Sequence, residues 1–301
     1  NQSTAKIILE VNRDTQTYLD IGNNVLPPII GFTISDNGCG FDDINFKSFE
    51  TLDSDHKMSK GCRGVGRLMW LKVFDIVKIE SVFMDKHDVL QKRTFYFNDK
   101  FGVHKESITP TPESHTGTKI KLTGFDKGFQ SKVPTRGISI SNQLLEHILW
   151  YFVRNESAPN ILVQDQNEII DLDNLYEKHM HSGAFHEEID IKGQSFELTH
   201  IKFRSSLSRK HQLALCAANR LVKEEAIQGK ISGLYGKISD SDGEFIYTCY
   251  VSSGYLDKHV RSERTSFDIV EDVDSIFDEI SFKNIREAVF ERSKEYLKDV
   301  L

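Results

Sequence analysis

The stretch IIGFTISDNGCG, residues 29–40, joins a short apolar run to an acidic turn that contains two glycines. The apolar run 29–34 is rich in β-branched and aromatic side chains, which predicts a β-strand that ends close to Asp36. A second glycine cluster, GCRGVG, follows at residues 61–66. Together, in this order, the two motifs predict a pocket with a carboxylate at a strand end and a glycine loop nearby.

Composition limits the classes to which this chain can belong. Its 301 residues allow one large domain or two of ordinary size, and 39% hydrophobic residues with 20 Phe can fill a core. The net charge of −7 argues against a protein that coats DNA. It does not exclude a local basic groove that binds nucleic acid. We expect no membrane partner, because no apolar stretch approaches bilayer length and no signal peptide opens the chain.

The four cysteines indicate a reducing compartment and do not have the spacing of a metal site. They show no CxxC pairing and no His-rich ligand spacing, so we expect no zinc. Such cysteines are typical of a reduced cytoplasmic protein. We therefore predict a cytoplasmic location.

Periodicity and turn residues predict two domains. The segment DKGFQSKVPTRGIS, residues 126–139, is rich in Gly, Pro and Ser and is typical of a linker. We predict domains at 1–126 and 141–301 with a linker at 127–140. Strands are expected at 6–11, 29–34, 77–83, 93–97, 119–122, 160–164, 189–191, 196–203, 213–222, 231–238 and 245–252. Helical spacing is found at 144–153 and 282–301.

Asp36 is the candidate residue for binding a nucleotide base. A carboxylate at a strand end can accept a hydrogen bond from the exocyclic amine of adenine, and it rejects guanine, which presents a carbonyl there. Gly38 and Gly40 would let the backbone turn away and approach a flat base. An ordinary Asn-Gly turn between strands explains the same residues equally well.

The second cluster is the candidate phosphate loop. Its glycines free a run of backbone N–H groups, and the following residues can open a helix whose first amides bind phosphate oxygens. No Gly-Lys-Ser/Thr follows, so this is not a Walker loop. An ordinary loop with solvated charges is the alternative. The candidate residues are Lys60, Gly61, Arg63, Gly64, Val65, Gly66 and Arg67.

Thr118 is the third component of the predicted pocket. It follows Gly117 at the start of an alternating segment, where its hydroxyl could orient the Asp36 carboxylate directly or through water. Gly-Thr before a strand carries no information alone. The three weak signals gain their weight from their order along the chain.

These motifs resemble those of the GHKL ATPases, which include gyrase B, the ninety-kilodalton heat-shock chaperone, histidine kinases, MutL and MORC proteins. The resemblance implies an α+β fold: a Bergerat-type mixed, mostly antiparallel sheet with helices on one face. It also implies ATP and Mg²⁺ as cofactors, with Asp36 on adenine and Thr118 in support. Residues 42–60 would belong to an ATP lid, and Gly64 and Gly66 would contact phosphates.

One departure from that family concerns catalysis. The family carries a Glu that activates water and an Asn that holds Mg²⁺ on a helix just before the first matched strand. This sequence begins at Asn1, where that helix should already have ended. We therefore expect no metal ligand and no general base within these residues, and we suspect that sequence upstream of Asn1 is missing.

The second half is similar to the α/β transducer domains of MutL, MORC and gyrase B. The segment LCAANRLV, residues 215–222, resembles a strand of that domain, and HVRSERTSF, residues 259–267, resembles its phosphate-sensing loop. By this resemblance Arg264 would contact the γ-phosphate. A surface salt bridge with Glu263 or Asp268 is the alternative.

The sequence leaves several functions open. The first is an ATP-hydrolysing switch, in which ATP closes a lid and joins two copies into a homodimer that drives a partner or effector. The second is an ATP-gated, non-catalytic clamp or regulator, DNA-associated or defence-related. A histidine kinase comes third, because no helix with a phospho-accepting His precedes the pocket. The overall charge does not support nucleic acid as a partner.

Overall fold

A computed structural model describes residues 5–14, 26–51, 66–153, 159–179, 184–204, 210–217, 220–261, 266–272 and 279–301. The chain divides into two compact units. The first unit comprises Asn1–His147 and Ser157–Leu175, and the second comprises Ile148–Glu156 and Tyr176–Leu301. Along the described parts of the chain, no helix has both the length and the apolar character that crossing a bilayer requires.

The first unit is built on an eight-stranded mixed sheet. Its strands are β1 (Lys6–Arg13), β2 (Ile29–Asp36), β3 (Phe74–Met84), β4 (Leu90–Asn98), β5 (Gly102–Pro110), β6 (Gly117–Phe125), β7 (Asn160–Asp165) and β8 (Glu168–Asp171). Their order in the sheet is β5-β4-β3-β6-β2-β1-β7-β8. Only the β1–β7 pair is parallel among these neighbours. The predicted α+β class with a mixed, mostly antiparallel sheet is confirmed.

Two short helices cover the apolar face of this sheet. Helix α1 (Asp43–Glu50) and helix α2 (Leu68–Val73) contribute Phe46, Phe49 and Trp70 to a cluster with strand residues such as Ile79 and Phe95. Alternate strand residues point to opposite faces, so the intervening positions form a polar face. On that face Lys78 and Glu80 form a half-buried ion pair.

The predicted domain boundaries differ from this division. The proposed linker 127–140 contains helix α3 (Lys127–Gln130) and the start of helix α4 (Gly137–Val153). Strands β7 and β8, which the sequence placed in the second domain, complete the first sheet because β7 pairs with β1. Sequence periodicity predicted β7 as a strand, but a long-range parallel pairing leaves no local signal.

A buried ion pair fixes that long-range pairing. Arg13 of β1 donates from Nε and Nη2 to the two carboxylate oxygens of Asp165 in β7, at 2.6 and 2.7 Å. The same guanidinium donates to the carbonyl oxygens of Pro27 and Thr135, at 2.6 and 2.7 Å. Both side chains are almost fully buried. One cation therefore joins four separate parts of the chain.

The second unit contains a six-stranded sheet and helix α5 (Leu172–His179), which begins in the first unit, together with α6 (Gly254–His259) and α7 (Phe282–Leu297). The strands are β9 (Phe185–Ile191), β10 (Gln194–Phe203), β11 (Gln212–Ala217), β12 (Arg220–Ala226), β13 (Ile238–Asp240) and β14 (Gly243–Ser252). The order is β12-β11-β14-β10-β9, with β13 beside β14. Helix α7 packs Ile285, Val289 and Leu297 into the core.

Two strand predictions in this unit were wrong. Residues 213–222 are not one strand but parts of β11 and β12, which pair antiparallel with each other. Residues 231–237 lie outside the strands, and only 238–240 pair with β14. The apolar side chains of Ile231 and Leu234 pack into the core, although Ile231 forms only an isolated bridge with Gln228. Apolar spacing alone therefore misassigned these residues.

We expect replacement of Asp165 by Asn to destabilise the protein by about 3–5 kcal/mol, because the Arg13 charge would stay buried without its counter-ion. Urea unfolding of the wild type and variant measures the loss. The matched control is Glu113→Gln, which breaks an exposed 3.0 Å pair with Lys92 and should cost less than about 1 kcal/mol. Equal losses in the two variants would contradict this role for Arg13 and Asp165.

Glu225 should give the second unit a measurable acid sensitivity. Hydrogen bonds from Arg286 and Lys223 outweigh burial and lower the pKa of Glu225 from 4.5 to about 2. Below pH 4.5 the Glu225 carboxylate is protonated in the unfolded chain, whereas in the folded chain it stays ionised. The contribution of this group is therefore complete above pH 4.5 and is lost as pH falls towards 2.

Comparison with Glu225→Gln isolates this contribution. The free-energy difference between wild type and variant should shrink by about 2–3 kcal/mol as pH falls through that window. Urea unfolding at pH values on both sides of 4.5 measures it. A difference that does not change with pH would show that Glu225 titrates normally in the folded chain.

Candidate functional site

Strand register places Asp36 and Thr118 side by side. Asp36 ends β2 and pairs directly with Thr118 at the start of β6, and Thr118 pairs in turn with Ser81 of β3. Directly opposed residues project from the same face of a sheet, so the three side chains form one row. Thr118 and Ser81 are buried, and Asp36 is partly exposed. We call this row the Asp36–Thr118–Ser81 row.

The chain turns sharply after Asp36. Its Oδ1 accepts the N–H of Gly38 at 2.8 Å, a local bond that holds the carboxylate against the turn. Gly40 has φ of +77°, and a Cβ there would lie 2.2 Å from the carbonyl oxygen of Val82. Only glycine meets both conditions, the positive φ and the contact with backbone. The turn therefore lies directly against β3.

Two polar side chains that sequence reasoning missed hold this turn. Ser81 Oγ accepts the N–H of Phe41 at 2.8 Å. Arg93 of β4, which pairs with Ser81, donates to the carbonyl oxygen of Phe41 at 2.7 Å and to Asp43 at 2.6 Å. Its guanidinium also lies 4.4 Å from the ring centre of Phe46. A single Ser and a single Arg inside strands carry no local signal in the sequence.

The predicted phosphate loop falls largely outside the described residues. Lys60, Gly61, Arg63, Gly64 and Val65 lie there, and their roles stay predictions. Gly66 is described, and a Cβ at that residue would meet no atom within 4 Å.

Arg67 links the two described ends of that segment. Its Nη2 donates to the carbonyl oxygen of Thr51 at 2.9 Å, and its guanidinium lies 4.9 Å from the ring centre of Phe49. The side chain is largely buried, and burial lowers the pKa of Arg67. These contacts place Arg67 in the helix packing, and its predicted phosphate contact stays a prediction.

A small cavity lies at the Asp36 end of the sheet, where Glu80, Lys92 and Lys119 project from the polar face, opposite to the face of the Asp36–Thr118–Ser81 row. Its volume is about 270 Å³, and Asp36 and Thr118 both line it. The charged side chains around it are mixed in sign: Glu80, Lys92, Glu113 and Lys119. A hydrogen bond from Lys78 lowers the pKa of Glu80, which therefore carries its negative charge here at neutral pH. The cavity thus offers both donors and acceptors to a polar ligand.

The predicted γ-phosphate contact, Arg264, also lies outside the described residues. On either side of it Val260 pairs with Phe267, and the N–H of Arg261 donates to the carbonyl oxygen of Ser266 at 3.0 Å. Arg261 lies 3.5 Å from Asp268, both side chains being exposed. The role of Arg264 stays a prediction.

The described residues show no metal centre. Among them, no group of three or more His, Cys, Asp or Glu side chains comes together in a way that could hold an ion. The Mg²⁺ implied by the sequence resemblance therefore has no cluster of three or more protein ligands in the described part of the chain. We assign no metal ligand.

Comparisons with known proteins give structural matches only. The chain is similar to ATPase structures. One is the MutL ATPase domain of Aquifex aeolicus complexed with ADP, at 11% identity and a TM-score of 0.45, covering 82% of this chain and 83% of that one. Another is the ATPase region of Saccharomyces cerevisiae topoisomerase II, at 11% identity and a TM-score of 0.43, covering 83% and 68%.

The same ATPase region bound to ICRF-187 gives the same values. No protein-family model matches the chain, and no curated protein matches it in sequence. A MutL ATPase domain, a type of protein named in the sequence resemblance, is one of these structures. Similarity at this level assigns no activity to the chain.

Replacing Gly40 by Ala should destabilise the protein by more than about 3 kcal/mol. The positive φ costs about 1–2 kcal/mol for any other residue, and the new Cβ would overlap backbone that cannot yield. Gly102→Ala is the matched control in the same unit, because Gly102 has φ of +60° and open space around its Cβ position. Urea unfolding should show that the control loses only the stability that the positive φ costs, about 1–2 kcal/mol. Similar losses would mean that the turn does not press on β3.

Proposed function

We propose that this chain binds an adenine nucleotide, ATP, at the Asp36 end of β2. The observation that supports this most directly is the Asp36–Thr118–Ser81 row beside the turn that begins at Gly38. A carboxylate held in register with a hydroxyl at a strand end supplies an oriented acceptor for the exocyclic amine.

The fixed backbone around Asp36 supports selective binding. The carboxylate is oriented by the Gly38 N–H, and a Cβ at Gly117 would lie 2.5 Å from the carbonyl oxygen of Asp36, so the start of β6 packs tightly against it. A rigid acceptor discriminates strongly between bases, because the wrong base leaves a polar group without its partner.

We further propose that the bound ATP is hydrolysed and that its binding switches the conformation of the protein. This step rests on the motif order, which resembles that of GHKL ATPases, with residues 42–60 as a lid and 60–67 near phosphate. The resemblance also supports a homodimer in the ATP-bound state, acting on a partner or effector. Cys39, Cys216 and Cys249 are free thiols, which is compatible with the proposed cytoplasmic location.

An ATP-gated clamp without turnover is the second candidate. No residue among those described is assigned as a general base, and no cluster of three or more potential metal ligands lies among them. Phosphate release by the full-length protein, including any sequence that precedes Asn1, distinguishes the two. Release that is lost in Arg264→Ala supports the ATPase, and tight ATP binding without release supports the clamp.

We expect Asp36→Asn to weaken ATP binding by about 10- to 100-fold, the loss typical of one hydrogen bond to a charged group. Isothermal titration calorimetry with ATP and GTP measures it. Asparagine can still accept the Gly38 N–H, so the turn should persist. GTP should bind the wild type far more weakly than ATP.

Asp126→Asn is the matched control. Asp126 Oδ1 accepts the N–H of Gly128 at 2.9 Å, the same local bond that Asp36 makes, at the other end of β6. Its replacement should leave ATP affinity unchanged. An Asp36→Asn variant that binds ATP as tightly as the wild type would contradict the assignment of Asp36 to adenine binding.

A further inference from the structure

Ser81 lies where three parts of the first unit meet. It is 1% exposed, and its Oγ has three polar neighbours. It accepts the N–H of Phe41 at 2.8 Å, lies 3.1 Å from the carbonyl oxygen of Gly117, and lies 3.1 Å from Thr118 Oγ1. One hydroxyl thus joins the turn after Asp36 to the start of β6.

Proton counting shows that this hydroxyl constrains Thr118. A serine hydroxyl has one proton and two acceptor lone pairs. The Phe41 N–H uses one lone pair, so the proton goes either to the Gly117 carbonyl or to Thr118 Oγ1. In the first case Thr118 donates its own proton to Ser81, and in the second it accepts. Either way, Ser81 fixes the orientation of the hydroxyl that lies directly opposite Asp36.

The surroundings of Ser81 are those of a core position. The preceding residues on the same face of β3, Val77 and Ile79, are fully buried in the aromatic cluster. Packing alone would favour an apolar side chain at the next inward position. The hydroxyl at this position serves as a hydrogen-bond partner for the Phe41 N–H and Thr118 Oγ1, which would otherwise lack one.

We propose that Ser81 is a positioning residue for base recognition. It ties the Thr118 hydroxyl and the Gly40–Phe41 turn to a single point, so that Thr118 and the Asp36 carboxylate face the base in fixed register. This rests on the proposed adenine-nucleotide site and adds a residue on β3, two strands away from Asp36, that sets the site's selectivity for the exocyclic amine.

The test compares ATP with purine riboside triphosphate, which lacks the amine that Asp36 would read. Calorimetric titration of Ser81→Ala should show ATP affinity falling about tenfold, the effect of one lost hydrogen bond. Affinity for the amine-free analogue should fall much less, so the ratio between the two nucleotides shrinks. Ser81→Cys keeps the side-chain shape with a weaker hydrogen-bonding group and should give an intermediate ratio, even where the alanine variant folds poorly.

Two further variants separate positioning from general stability. Ser141→Ala is the control, because Ser141 is equally buried and donates to the carbonyl oxygen of Gly137 at 2.9 Å within α4. It should leave the ratio unchanged. Thr118→Val removes the hydroxyl through which Ser81 acts, so combining it with Ser81→Ala should weaken ATP binding less than the product of the two single effects.

The outcomes are distinguishable. Wild-type protein that binds neither nucleotide overturns the nucleotide site and this inference together. Wild-type protein that prefers ATP, with an unchanged ratio in Ser81→Ala and Ser81→Cys, overturns the role of Ser81 alone. If Ser81→Ala weakens binding of both nucleotides equally, or if its effect is fully additive with that of Thr118→Val, Ser81 contributes only to stability.

Discussion

The register between β2, β6 and β3 is the constraint on which the candidate site depends. It places Asp36, Thr118 and Ser81 directly opposite one another, although they are far apart in sequence. A shift of one residue in either pairing would turn a side chain to the other face of the sheet. The apolar pattern prevents such a shift, because it would move the buried residues of β3 and β6 out of the aromatic cluster. Core packing therefore sets the geometry of the polar end.

A second feature is the contrast between the two ends of this sheet face. Aromatic side chains from α1, α2 and the strands pack its centre, and polar groups replace them near Asp36. Two of those polar groups bond to the backbone of the turn, because Ser81 accepts the Phe41 N–H and Arg93 donates to the Phe41 carbonyl oxygen. Bonds from buried side chains to a turn hold its backbone without requiring regular structure there. These bonds hold the backbone of the turn that carries Gly38 and Gly40.

The second unit uses a buried polar network for a different purpose. His200 Nδ1 lies 2.6 Å from the Tyr247 hydroxyl and Nε2 lies 2.8 Å from Glu187, and the Tyr247 hydroxyl is 2.8 Å from Ser293 Oγ of α7. Burial lowers the pKa of His200. A chain of satisfied polar groups specifies how a helix sits on a sheet more narrowly than apolar contacts do. The C-terminal helix α7 is fixed in this way.

The sequence by itself determined the local parts of this protein. Apolar patterns predicted strands within β1, β2, β3, β4 and β6, and the order of Asp36, the glycines and Thr118 predicted which residues could share a site. Tertiary structure alone decided that β7 returns to pair with β1, that Ser81 and Arg93 hold the turn, and that Arg67 packs between helix ends. The physical reason is distance along the chain: periodicity and turn chemistry act between neighbours, whereas strand partners and buried hydrogen bonds are chosen only when remote segments pack together.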